Sequence, residues 1–233
     1  IGAIIVLCHG LLHTEALAGS YEATPGTVEA VIRAVFNPQF GLKDEAMTRA
    51  KSGITDILPL LAKDDRTAQI LGFDDERQIR AARVNEVLPF LVFEVYLNDL
   101  QHFPTSPSPG VGQSLLRFTN QVLLPITVNT KVKSSLTLRF FGEANWQIKR
   151  WGPSKLIQDL TDKRASVPPE RASFLVQVPA LNRNYLGYLD NHGILELVSL
   201  FKDQYDDEGV TKRAVEVFIQ LAAEARTVDK SPR

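Results

Sequence analysis

The stretch FPTSPSPGVGQS, Phe103 to Ser114, constrains the chain more than any other. Its three prolines fix φ and remove backbone N–H donors, and its two glycines loosen what remains. A helix cannot continue through it. This predicts a helical subdomain over 1–103, a Pro/Ser/Gly-rich linker or surface loop at 104–114, and a mixed α+β subdomain over 115–233. A chain of 233 residues is long enough for two small subdomains or one large domain.

Before the loop the apolar residues recur at helical spacing. In TPGTVEAVIRAVF, Thr24 reads as an N-cap and Pro25 as the first helical residue, with Val28, Val31, Ile32, Val35 and Phe36 on one face. LKDEAMTRAKSGITDILPLLAKDD carries a second stripe through Ala46, Ala50, Ile54, Ile57, Leu58 and Leu61, broken near Gly53 and Pro59. A third helix is expected from Asp74 or Asp75 through RQIRAARVNEVLPFLVFEVYLNDL. Its second half is so apolar that it should be buried on most sides, and Pro89 should kink the helix or split it.

After the loop, SLLRFTNQVLL reads as a short helix. ITVNTKVKSSLTLRFF then alternates with period two, through Val128, Thr130 and Val132 and through Leu136, Leu138 and Phe140, as strands do. GEAN is the expected turn into a further strand, WQIKRW, and SFLVQVP is another strand. HGILELVSLFKD and VTKRAVEVFIQLAAEA read as closing amphipathic helices, and TVDKSPR as a frayed tail. The expected fold class is α+β, predominantly helical with a small antiparallel β element in the middle of the chain. SGITDILPLLAKDD and the closing helical stretch resemble pieces of armadillo or HEAT-type helical repeats, which implies helical surfaces for protein contacts. No fixed repeat period runs through the chain.

Rare residues gather in CHGLLHTE, but three tempting roles each lack a part. His9 and His13 share a helical face and, with Cys8 or Glu15, could hold a metal; the zinc-protease pattern instead needs Glu where Gly10 stands. IIVLCHGLL is similar to the strand and His-Gly segment before the oxyanion loop of α/β-hydrolases. GQSLL, the nearest nucleophile elbow, has Leu116 in place of the second glycine, leaving Ser114 with His192 and Asp190 as the only imaginable triad. Ala16-x-Ala18 resembles a signal-peptidase site without a basic region before it. A buried N-terminal helix is the plainer reading. GVGQS lacks the lysine of a phosphate loop, and the acid pairs in KDD, FDDE and YDDE lack Ca²⁺-loop spacing. No cofactor or metal is expected.

The least ordinary segment lies downstream. Lys131, Lys133, Arg139, Lys149, Arg150 and Lys155 cluster with Trp146 and Trp151, the only tryptophans of the chain, and with Phe140 and Phe141. Cations attract phosphates and aromatic faces stack on bases, so these residues form the expected polyanion site. The formal net charge of −1 means that any such partner is held by a local patch. The plainer alternative is an edge hairpin whose lysines block aggregation and whose aromatics fill the core.

The reading is therefore a non-enzymatic binding or assembly protein. Its helical surfaces would serve a protein partner or self-association, and its basic aromatic segment a polyanion such as RNA, as in a nucleocapsid. The alternatives are a membrane-acting protein that inserts an amphipathic β-hairpin, and a serine hydrolase. One cysteine rules out an internal disulfide framework and fits an intracellular, reducing compartment. The start at Ile1 reads as an internal fragment or a processed product.

Overall fold

A computed structural model describes residues 27–36, 42–86, 88–141, 145–152, 154–202 and 207–228. The first elements are helical. Helix α1 (Val28–Val35) is capped by Thr27, whose hydroxyl accepts from the Ala30 N–H; Thr24 and Pro25, the expected start, lie outside the described residues. Helix α2 (Asp44–Ser52) runs into a π-helical turn at Gly53–Ile57 and then into α3 (Leu58–Leu61). The expected break near Gly53 and Pro59 thus takes the form of a widened turn. Asp64 caps α4 (Asp65–Ile70), and Asp75 caps α5 (Glu76–Ala81) by accepting from Gln78.

From there the chain enters a nine-stranded mixed sheet. Strands β1 (Arg83–Val84) and β2 (Phe90–Glu94) precede α6 (Leu97–Gln101) and a 3-10 turn at Pro109–Leu115. Strands β3 (Arg117–Val128), β4 (Lys131–Phe140) and β5 (Trp146–Gly152) form a meander, followed by α7 (Ser154–Lys163). Strands β6 (Ser173–Val178), β7 (Arg183–Leu189), β8 (Leu195–Ser199) and β9 (Thr211–Arg213) lead into α8 (Ala214–Ala225). The strand order is β5-β4-β3-β2-β6-β7-β8-β9, with β1 paired to β3. All described pairings are antiparallel except β2 with β6.

A predominantly helical chain with a small β element is therefore the wrong class. Three misread segments explain the difference. FLVFE is a central strand, bonded to β3 on one side and β6 on the other, and apolar because both its faces are buried. RFTNQVLL belongs to β3, where a bulge at Thr119–Asn120 interrupts the pairing; Asn120 takes φ 57° there. LELVS is β8, with Leu195 and Leu197 facing one core and Val198 the other. That strand also takes the place of the first helix in the second repeat-like piece, whose second helix forms as α8. The expected strands in the middle do form. Thr130 belongs to the β3–β4 turn, where Asn129 and Thr130 both have positive φ, and not to the strand itself.

The sheet runs across 104–114: β1 and β2 come before the loop and β3 to β9 after it. The larger core packs α1 to α6 and α8 against one face, around Phe93, Phe174 and Phe218. The smaller core packs Ile157 and Leu160 of α7 against Phe90, Leu123, Leu175, Leu186 and Val198 on the other. The loop is tied at both ends. Arg226 donates to the Gln101 and Phe103 carbonyls, while Gln101 donates back to Ala225, so α6 and α8 cap each other's C-termini. The Gln113 amide donates to the Gly193 carbonyl.

A single guanidinium organises the segment after α7. Half-buried Arg164 donates to the carbonyls of Val167, Pro168, Pro169 and Arg171 at 2.8–3.4 Å. Two of those residues are prolines, which cannot offer N–H groups to any competing local structure. Arg164→Met keeps the aliphatic stem and removes every donor. It is expected to destabilise the protein by about 1–3 kcal/mol, read as a lowered urea midpoint at unchanged m-value.

Candidate nucleic-acid interface

Period-two alternation sorts the basic aromatic segment onto two faces. Leu136, Leu138, Phe140, Trp146, Ile148 and Trp151 all point to the larger core. Trp146 is only 9% exposed and stacks obliquely on Phe140 at 5.0 Å between centroids. Trp151 is half-buried, and Gly53 of the π turn comes close enough to Ile148 and Trp151 that a Cβ there would collide with Ile148. Neither tryptophan therefore offers a free stacking face, and the aromatic half of the expected site is mostly core.

The cations divide as well. Lys133 bonds to Asp74 at 2.9 Å, and Lys155 to Asp159 at 2.6 Å. The Lys133 bond, helped by Gln78, holds the Asp74 carboxyl below its usual range; the Asp159 bond holds the Lys155 ammonium above its own. Lys131 is exposed beside the β3–β4 turn, eight residues from Arg139 and roughly 26 Å away along the strand. It cannot share one contact with the rest.

Arg139, Lys149 and Arg150 remain together. β5 is an edge strand, and its register shifts between the Leu138↔Ile148 and Thr137↔Arg150 pairs, which leaves Lys149 as the extra residue of a bulge. Lys149 and Arg150 are exposed, and among the described residues neither is in an ion pair. Arg139 lies opposite both Gln147 and Gln121 on its two neighbours, on the face away from the larger core. Two residues on, Phe141 lies on that same side. It is 52% exposed, and the Arg139 guanidinium sits 5.1 Å from its ring centroid. The result is a cationic platform with one open aromatic face, flanked by two amides. Gln121 and Gln147 carry no signal in the sequence, because only strand register brings them beside Arg139.

The bulge and the edge cations have a purely structural use too: they discourage pairing with another sheet edge. The Arg139–Phe141 pair is not needed for that, since it points out of the face and not along the edge.

The other candidates stand apart from this platform. Cys8, His9, His13, Glu15, Ala16 and Ala18 lie outside the described residues. The Ser114 hydroxyl donates to the Val111 carbonyl at 2.8 Å, and Asp190 accepts the backbone N–H groups of His192 and Ile194, both at 2.8 Å. That carboxylate organises a turn and does not orient an imidazole. Among the described residues, no group of three or more His, Cys, Asp or Glu could hold a metal, and no helix is long and apolar enough to cross a membrane. An open cleft of about 330 Å³ between α1 and the β7–β8 turn is lined by Glu29, Arg33, Glu170, Arg171, Asp190 and neighbouring residues, charges of both signs.

One carboxylate near that turn carries a pH signature. Burial pushes Glu196 above the usual glutamate range; the nearby Asp190 adds to this, and Arg213 opposes it. Below the range in which an unfolded chain titrates, Glu196 is protonated in both states and costs nothing. As pH rises through the raised folded value, the folded state must ionise a partly desolvated acid, and its contribution to stability is lost. Glu196→Gln is therefore expected to raise Tm at pH 7 and leave it nearly unchanged at pH 4, by calorimetry at the two values.

No family model, curated protein or solved structure matches this chain.

Proposed function

We propose that this protein is a non-enzymatic nucleic-acid-binding or assembly protein, with RNA as its polyanion, and that it binds through the outward face of the β4–β5 edge. The observation that supports the reading is the grouping of Arg139, Lys149 and Arg150, with Arg139 held over exposed Phe141, on a face that the larger core does not use. Cations so placed release counterions from phosphates, which is a sequence-independent source of affinity. Lys133 and Lys155, already paired with Asp74 and Asp159, are not part of it. The helical side, where Leu60 and Ile70 are exposed, is left for protein contact or self-association.

The test is a salt titration of RNA binding. Wild-type affinity is expected to fall linearly with salt on logarithmic axes, with a slope of roughly 0.7 for each phosphate neutralised. The triple variant R139E/K149E/R150E is expected to lose about 100-fold in affinity at low salt and to flatten that slope by about 2. K133A and K155A should stay within about two-fold of wild type, because those ammonium groups are committed elsewhere. Unchanged affinity in the triple variant would sink the reading.

A further inference from the structure

We infer that the platform selects single-stranded over duplex RNA, with one base stacked on the open face of Phe141 while Lys149 and Arg150 hold the adjoining phosphates. The inference rests on the polyanion reading above and sharpens it. It starts from an asymmetry in the segment: three of its aromatics, Phe140, Trp146 and Trp151, are partly or fully buried in the larger core beside Phe93 and Phe118, whereas Phe141 is turned outward. A phenylalanine more than half exposed contributes little to folding. The Arg139 guanidinium lies 5.1 Å from its ring centroid, and about half of the residue stays exposed to a ligand.

The geometry distinguishes ligands. A base in a duplex is stacked on both faces and cannot reach a ring lying on a sheet; an unpaired base can. Arg139 of β4 and Phe141, one residue past its end, are two residues apart on the same side, roughly 6.6 Å along the chain. Gln147 and Gln121 flank Arg139 on the neighbouring strands, offering amide donors and acceptors to a base edge or a 2′-hydroxyl. The bulge at Lys149 sets two consecutive cations at the rim, where the backbone of a stacked nucleotide would run. A polyanion without bases would use the cations and ignore the ring.

The experiment uses the full chain with three probes: a fluorescent 12-nucleotide single-stranded RNA, the same sequence as a duplex, and heparin. Wild type is expected to bind the single strand at least ten-fold more tightly than the duplex. Phe141→Ala should weaken the single strand by about 5- to 30-fold, within the range of one lost stacking contact, and leave heparin within about two-fold. Phe141→Trp should restore the single-strand affinity. It also gives a direct readout: because Trp146 and Trp151 sit on the opposite face, the new indole should be quenched by the single-stranded RNA and not by heparin or by vesicles of anionic lipid. Equal affinities for single strand and duplex, or loss of single-strand and heparin binding together in Phe141→Ala, would overturn the stacking inference while R139E/K149E/R150E still tests the charge. If none of the three probes binds wild type, the polyanion reading itself fails and takes this inference with it. A response of the introduced indole to lipid vesicles alone overturns both in favour of a membrane surface.

Discussion

Phe93→Ala is expected to destabilise the protein by about 3–5 kcal/mol, the usual range for emptying a buried aromatic site. Phe93 is 2% exposed and lies in β2, the strand joining the antiparallel half of the sheet to the parallel pair with β6. Its ring meets Phe118 at 5.5 Å and Phe174 at 5.0 Å, so the substitution removes two aromatic contacts as well as opening a cavity. Since domains of this kind are held by only about 5–15 kcal/mol in total, the variant should unfold at a much lower urea concentration. Phe93→Leu, which keeps most of the volume, should cost under about 1.5 kcal/mol. Leu60→Ala, at a residue 65% exposed, should move the midpoint hardly at all. Hydrogen exchange gives an independent check. The amides of Phe90–Glu94 should be among the slowest in the chain, as befits a strand bonded on both sides. Rapid exchange there would contradict the sheet order.

Gly72→Ala is expected to be nearly as damaging, for a backbone reason. Gly72 ends α4 with φ +95°; its N–H bonds to the Gln69 carbonyl at 3.0 Å, and the Phe73 N–H reaches back to Ala68 at 2.9 Å. This is the Schellman arrangement, in which the residue after the cap adopts a left-handed conformation that side chains resist. The position is doubly restricted because a Cβ on Gly72 would strike the Lys133 carbonyl of β4. Strain of about 1–2 kcal/mol for the conformation adds to a backbone collision that neither element can easily relieve. The expected cost is about 3 kcal/mol or more, above the ordinary range for a point substitution. Gly110 supplies the control: nothing lies within 4 Å of its would-be Cβ and its φ is not positive, so Gly110→Ala should change stability by less than about 0.5 kcal/mol. If both variants melted like wild type, the close approach of the α4–α5 connection to β4 would be wrong.

Local signals were legible where local physics decides them. Asp75 caps its helix, and α2 loses regular geometry at Gly53. Leu136, Leu138 and Phe140 follow their alternation on one face of β4, whereas Val128 belongs to β3 and Val132 packs on the smaller core; WQIKRW and SFLVQV form the expected strands. Gly72 carries a local signal of the same kind: a glycine just past a helical run and before Phe73 marks a helix end. β2 and β8 were not legible by period, because short apolar runs buried on both faces look alike in a strand and in a buried helix. Only their length argued for strand, and β7, which has the glycine of RNYLGYL under Phe174 and Val176, carried too little periodicity to argue at all.

The candidate site divides along the same line. Which residues are cationic or aromatic, and that they crowd into 131–155, is a property of the sequence alone. So is the impossibility of continuing a helix through Phe103–Ser114, since three prolines there clash with and remove donors from their own backbone. What the tertiary structure decided is which side chains remain available. It put Trp146 and Trp151 into the core, gave Lys133 and Lys155 to Asp74 and Asp159, and left Arg139, Phe141, Lys149 and Arg150 near the β5 edge, away from the larger core. It also placed β2 in the middle of a sheet built mainly from the other side of the loop. Burial, ion pairing and strand order are made by residues far apart in the chain, Lys133 with Asp74 or Phe93 with Phe174, and no window of neighbouring residues contains both members of such a pair.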